Sequence, residues 1–213
     1  MNLRELERTL GRRFARVATN AVVARPRLWR LFRRPLRAQF DRMAPQWDGM
    51  RRPDSLAPLE RALDALPEPP RRVLDLGTGT GAAAFLIAAR FPEADVVGVD
   101  IAEEMLAQAK ENAPPELASR VRFQPADATR LPFEDGSFEL VSLANMIPFF
   151  DELARVSAAG GSIVLSFSAG PQTPIWVPPE RLRQELRARG FGEFADFRAG
   201  LGTALLARKG EPV

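Results

Sequence analysis

From Arg72 onward, short β-rich apolar runs alternate with stretches of helical periodicity. The runs fall at 72–76, 95–99, 120–124, 138–143, 161–167, 192–198 and 202–208, and the helical stretches at roughly 81–90, 102–112, 148–157 and 179–189. This βαβ spacing predicts an α/β fold, a doubly wound and mostly parallel seven-stranded sheet with helices on both faces. Upstream the pattern changes. Leu3, Leu6, Leu10, Phe14 and Val17 recur at steps of three and four, which places them on one stripe of a helix, while Arg4, Arg8, Arg12 and Arg16 line another side. Pro26 interrupts this helix, and the pattern resumes with Leu28, Trp29, Leu31, Phe32, Leu36 and Phe40 interleaved with arginines. Residues 53–70 hold one short helix between proline-rich ends. The expected organisation is a basic helical extension over 1–52 followed by an α/β domain over 53–213.

Charge reinforces that division. Residues 1–52 carry 14 Arg against 4 acidic residues, whereas the other 161 residues hold 16 basic and 23 acidic ones. A solvated helix face, a helix lying on an anionic membrane surface and a phosphate-binding arm all suit such an extension. Nucleic acid fits least, because no recognisable RNA module accompanies the arginines and the rest of the chain is acidic. The longest unbroken apolar run, Ala82 to Ala89, is too short to span a bilayer, and the Arg-rich start lacks a signal peptide's apolar core. A cytoplasmic protein, peripheral to a membrane at most through residues 1–40, is therefore expected.

The chain contains no Cys, His or Tyr. Thiolate chemistry, Ser-His-Asp triads and zinc ligation by Cys or His are thus excluded. Chemistry that needs little proton transfer is favoured.

The most informative local feature is "VLDLGTGTG", residues 73–81, a strand that runs into a glycine turn and then a helix. Such a turn offers backbone N–H groups and a helix N-terminus at the carboxyl edge of a parallel sheet, where ligands bind. Gly77, Gly79 and Ala82 also fit the dinucleotide pattern G-x-G-x-x-G/A, and Asp100 at the end of the second strand suits the ribose of either a dinucleotide or another nucleoside. The glycines alone leave the ligand open.

Further elements follow in order: Asp75 within D-x-G-x-G-x-G, "ADA" at 126–128, "FEDGSFELVSLAN" leading into the fourth strand, "SAAGGSIVLSF", and "RGF" at 189–191. Taken together, the stretch from 72 to 168 resembles the class I S-adenosylmethionine-dependent methyltransferases. The resemblance implies S-adenosylmethionine as cofactor and S-adenosylhomocysteine as product. It places Gly77 and Gly79 beside the methionine moiety, Asp100 on the ribose and Asp127 on the adenine amino group. Asp75, Thr78, Gly81, Ile101, Met105 and Ala128 accompany them as cofactor-side positions, although Asp75 could equally serve the turn itself. "FDRMAPQWD", residues 40–48, resembles the lid segment preceding the core of quinone-type and other small-molecule methyltransferases, which puts Trp47 near the cofactor.

Methyl transfer is an in-line displacement, so holding the acceptor aligned is the main task. No catalytic base stands out. Asn145 is either a cofactor or acceptor contact or a strand-end cap, and Asp151 and Glu152 suit the start of the following helix, where negative charge is favoured. Met146, Ile147, Phe149 and Phe150 are available for an acceptor wall or for the core. No Asp-Asn pair follows the fifth strand, as metal-dependent O-methyltransferases of the family have, so a metal-free mechanism is expected. The leading expectation is methyl transfer to a small, apolar or membrane-associated acceptor. An RNA or protein methyltransferase and a non-catalytic cofactor-binding module stay open beside it.

Overall fold

The computed structural model describes residues 3–211, with backbone alone for 3–9. The N-terminal part consists of α1 (Leu3–Ala24), α2 (Trp29–Met43) and the short α3 (Trp47–Met50). It is followed by α4 (Ala57–Asp64), β1 (Arg72–Leu76), α5 (Ala82–Arg90), β2 (Asp95–Asp100), α6 (Glu103–Glu111), β3 (Val121–Pro125) and β4 (Phe138–Ala144). The chain then forms α7 (Phe150–Val156), β5 (Ser157–Phe167), α8 (Pro179–Arg187), β6 (Phe191–Ala199) and β7 (Gly202–Lys209).

The seven strands form one sheet in the order β3-β2-β1-β4-β5-β7-β6. β1 through β5 pair in parallel, and β7 runs antiparallel to both β5 and β6. The expected doubly wound, mostly parallel sheet is therefore present. The strand order reverses between β1 and β4, and ligands bind at such a switch point in open α/β sheets.

Alternation along the strands sorts the core into two layers. Val73, Val96, Leu140 and Val164 pack against Leu59, Ala84 and Ile87 of α4 and α5. Leu74, Leu76, Val141, Leu143 and Ile163 pack on the opposite face against Leu153 of α7 and Leu182 and Leu186 of α8. Burying each such side chain contributes about 1.5–3 kcal/mol.

No helix forms between β3 and β4. On that face α1 and α2 supply Ala18, Val22, Trp29 and Leu36, which join Ala128 and Leu131 in the same cluster.

Two sequence expectations need correction. The expected apolar stripe of α1 packs only in part: Phe14 lies against the core, but Leu10 and Val17 are 55% and 61% exposed, and Ala15, Ala18 and Val22 supply the buried face. Small side chains let the helix approach closely, and Phe14 meets Phe32 of α2 at 5.9 Å between ring centroids. The side chains of Leu3, Leu6, Arg4 and Arg8 lie outside the described residues. β5 also begins at Ser157, before the predicted 161, and α7 starts only at Phe150. The register jumps from Phe138 opposite Ser157 to Leu140 opposite Ser162. Gly160, at φ +69°, gives the chain the freedom to bulge there instead of ending the strand.

Candidate active site

β1 delivers the chain into the glycine turn and α5 carries it away. Gly77 and Gly79 adopt left-handed φ values of +73° and +54°, which Gly tolerates without cost. The Gly77 and Thr78 amides both donate to the Val99 carbonyl, at 2.8 and 3.0 Å, and tie the turn to β2. The Gly79 amide donates to Asp100 Oδ2 and the Ala102 amide to Asp100 Oδ1, both at 2.9 Å. Burial raises the Asp100 pKa, and these N–H groups oppose the shift.

Beneath the turn, Asp75 is almost fully buried. Its Oδ2 accepts the Thr78 hydroxyl at 2.6 Å. Its Oδ1 is an orphan, as is the hydroxyl of Ser142, the residue opposite Asp75 in the β1–β4 register. Burial is the main cause that pushes the Asp75 carboxyl up to about 6.

The surroundings of the three glycines separate their roles. A Cβ at Gly79 would point at Trp47 Nε1, 3.6 Å away, and one at Gly77 would collide with Met146 Sδ at 2.7 Å. Gly77 thus lies under Met146 and Gly79 under Trp47, beyond the carboxyl end of β1. A Cβ at Gly81 would instead strike the rings of Phe85 and Phe123, at 2.8 and 2.9 Å, so this glycine serves packing.

Asp127 marks the other end of the groove. Its Oδ1 accepts the Thr129 amide at 3.0 Å, the Thr129 hydroxyl at 2.8 Å and the Trp29 indole N–H at 2.9 Å. Arg33 Nη1 stands 3.4 Å from Oδ2. Burial pulls the Asp127 pKa up, but the hydrogen bonds from Thr129, Trp29 and Arg33 outweigh it and leave the group below its usual value. Trp29 is buried and stacks edge-on against buried Phe149 at 5.3 Å. A cleft of about 810 Å³ opens beside it, lined among others by Arg30, Arg33, Thr129, Phe149 and Phe150.

The N-terminal helices bridge the two ends. Trp47 packs edge-on against Phe40 at 5.7 Å. Asp48 accepts the Thr80 hydroxyl at 2.7 Å and the Asn112 side-chain Nδ2–H at 2.9 Å. Asp41 accepts the Glu104 amide at the start of α6, at 3.2 Å. Arg12 and Arg16 donate to the carbonyls of Gln172 and Pro171, each at 2.8 Å, and tie α1 to the loop after β5.

Other expected site residues have mixed surroundings. Met105 is fully buried with Ala44 and Ala102, under Phe40 and Trp47, and Ala128 is core. Ile101 is partly buried against the core cluster. Asn145 has a left-handed φ of 56°; its amide donates to the Ser166 carbonyl and its Oδ1 accepts the Ser168 amide, both at 2.9 Å, so it caps the ends of β4 and β5. Asp151 pairs with Arg189 at 2.7 Å, and Glu152 binds Arg155 at 2.8 Å and the Leu131 amide at 2.7 Å. Those two carboxylates are occupied structurally. Ile147, Phe149 and Phe150 are buried, whereas partly buried Met146 covers Gly77. The sequence reading missed Trp29 and Asp48, and only their place in the lid region hinted at either.

A family model described as a methyltransferase domain matches residues 73–161. A demethylmenaquinone methyltransferase of Thermus thermophilus is 41% identical over 146 residues, covering 62% of this chain and 66% of its own. One from Deinococcus radiodurans is 33% identical over 201 residues, covering 71% of this chain and 83% of its own. The match thus spans just under two thirds of the Thermus protein and more of the Deinococcus one. Among solved structures, a chain of the complex between the Haloferax volcanii Trm112 methyltransferase activator and the putative methyltransferase superposes with a TM-score of 0.66. It is 19% identical, covers 81% of this chain and 98% of its own, and shows the likeness of fold.

Proposed function

The chain belongs to the class I S-adenosylmethionine-dependent methyltransferases, and from that premise we propose that it methylates a small, apolar, quinone-like acceptor held between the N-terminal helices and the 145–150 turn. The two demethylmenaquinone methyltransferases support this acceptor class. The observation that carries the cofactor assignment is the Asp100 carboxylate, fixed by the Gly79 and Ala102 amides at the open end of β2.

The residues fit the cofactor. Each Asp100 oxygen accepts one backbone N–H and keeps a lone pair for a ribose hydroxyl. The turn at Gly77 and Gly79 leaves no side chain of its own in the groove, and the Met146 thioether over Gly77 is flexible enough to move aside. Asp127 is held ionised to accept from the adenine amino group. Thr78, Ile101, Met105 and Ala128 support this cradle, Trp47 roofs it, and Asn145 shapes its far wall. Residues 1–52 form the lid and 53–213 the cofactor domain.

When bound, the cofactor supplies an electrophilic methyl group on a sulfonium. The chain's own work is to hold the acceptor in line and keep water out, and closeness with alignment can lower the barrier by several kcal/mol. Asp151 and Glu152 are committed to arginines, so neither is assigned as a base. No cluster of three or more metal-binding side chains occurs among the described residues.

Where the acceptor is membrane-borne, the lid's outer face suits contact with an anionic surface. Leu10, Val17 and Leu31 are 55%, 61% and 69% exposed among the arginines of α1 and α2. No helix among the described residues is long and apolar enough to cross a membrane. Labelled-methyl transfer to a short-chain demethylmenaquinone kept reduced as its hydroquinone, whose electron-rich ring carbon takes the methyl and gives up its proton, with RNA and a malonyl thioester as competing acceptors, tests the reading. Labelling of RNA or the thioester alone overturns the acceptor class, and no labelling despite S-adenosylhomocysteine binding favours a non-catalytic module.

A further inference from the structure

We propose that Trp29 is a positioning residue of the cofactor site: its indole N–H fixes the Asp127 carboxylate so that Oδ2 faces the adenine amino group, making the lid part of base recognition. The inference rests on the reading of Asp127 as the partner of that amino group.

The hydrogen-bond inventory around Asp127 is lopsided. Oδ1 takes three donors, from the Thr129 amide, the Thr129 hydroxyl and Trp29 Nε1, at 3.0, 2.8 and 2.9 Å. A carboxylate oxygen offers about two lone-pair directions, so Oδ1 has no capacity left. Oδ2 meets only Arg33 in the described structure, at 3.4 Å, through a guanidinium whose side chain is 44% exposed. That long contact in water is weak and can swing aside. A new N–H donor therefore finds its acceptor at Oδ2, in a direction set by what holds Oδ1.

Two of the Oδ1 donors belong to Thr129, on the same turn as Asp127, and move with it. Trp29 reaches in from α2, 98 residues away in sequence, and is the anchor outside that turn. Its ring is 5% exposed and stacks on Phe149, itself 4% exposed, so the N–H is held in direction as well as in distance. Without it the carboxylate can turn about its last torsion toward Arg33, and Oδ2 loses its aim. A second consequence concerns specificity. An acceptor oriented in this way favours a 6-amino purine over a 6-oxo purine, because the 6-oxo group brings no N–H and sets an oxygen against the carboxylate.

Affinities for S-adenosylhomocysteine and S-inosylhomocysteine, measured by calorimetry on the full chain, test this. The wild type is expected to prefer the adenine ligand at least about tenfold, the scale of one hydrogen bond to a charged group. Trp29→Phe should lose most of that preference through weaker adenine binding, with inosine binding little changed. A general loss of fold would weaken both ligands together. Should Trp29→Phe melt early, replacing Trp29 with β-(3-benzothienyl)alanine keeps the shape and removes only the N–H, with the same loss expected. Asp127→Ala separates the two readings. If it abolishes the preference while the Trp29 variants retain it, the inference about Trp29 is wrong and Asp127 keeps its role. If Asp127→Ala leaves the preference intact, the underlying assignment of Asp127 fails. Tighter adenine binding in Trp29→Phe would mean that the indole blocks the site instead of preparing it, and would overturn the proposal.

Discussion

Trp29 and Trp47 both descend from the N-terminal helices onto the carboxyl edge of the sheet, but they are held in different ways. Trp29 is buried, hydrogen-bonded to Asp127 and stacked on Phe149. Trp47 is only partly buried and leans on Phe40, and the adjoining link to the body runs through Asp48, whose side chain is 42% exposed. Exposed hydrogen bonds exchange with water at little net cost, whereas a buried polar contact is expensive to break. The N-terminal helices thus have a fixed end over Asp127 and a releasable end over the glycine turn. On the proposed reading of these helices as a lid, ligand entry and exit belong to the second.

The strongest way to break this contrast is to destroy the fixed end. Trp29→Ala should cost about 3–5 kcal/mol of stability by leaving a cavity beside Phe149, read by chemical denaturation; a loss no larger than that of Trp47→Ala would erase the distinction. Beneath the releasable end, the raised Asp75 pKa makes a pH prediction. A carboxyl near 6 when folded binds protons that the unfolded chain has already released, so its contribution falls as pH rises from about 4 to 6 and stays low above that. The difference in stability between wild type and Asp75→Asn should shift by roughly 3 kcal/mol across that window, and a flat difference would place the carboxyl elsewhere. Asp100→Ala removes an acceptor of two backbone N–H groups and the proposed acceptor of the ribose, and should weaken S-adenosylhomocysteine binding by about 1.5–3 kcal/mol. The smallest effect is expected for Asp48→Ala, about 1 kcal/mol or less in stability. Its ligand release should still be faster, followed by the displacement of labelled S-adenosylhomocysteine from the protein with all three tryptophans in place. Unchanged release would show that the lid opens elsewhere.

The α/β body could be read from the sequence because strand alternation and turn chemistry are local. β1, the glycine turn and Asp100 stand within thirty residues of one another. The reading failed where structure came from close approach or from distance. α1 packs through Ala15, Ala18 and Val22, whose small side chains give a weak hydrophobic signal, while the stronger signal at Leu10 and Val17 faces solvent. β5 continued through "SAAGG" because Gly160 allows a bulge, where the same glycine suggested a loop. Among the site residues, the sequence singled out Trp47 from a resemblance. Nothing local connected Trp29 to Asp127, and Asp48 closed the segment resembling a lid without any partner assigned to it.

The absent helix between β3 and β4 has a consequence for the order in which the protein is made. Ala18, Val22, Trp29 and Leu36 of α1 and α2 cover that face, yet the anchors of these helices lie far downstream: Trp29 waits for Asp127, 98 residues later, and Arg16 and Arg12 for carbonyls 155 and 160 residues later. During synthesis the basic helices leave the ribosome before the α/β body they dock on, and find their seat only once it has formed. Closing such long loops precedes any reward from the contacts, so lid docking should be the slow phase of refolding, behind assembly of the sheet.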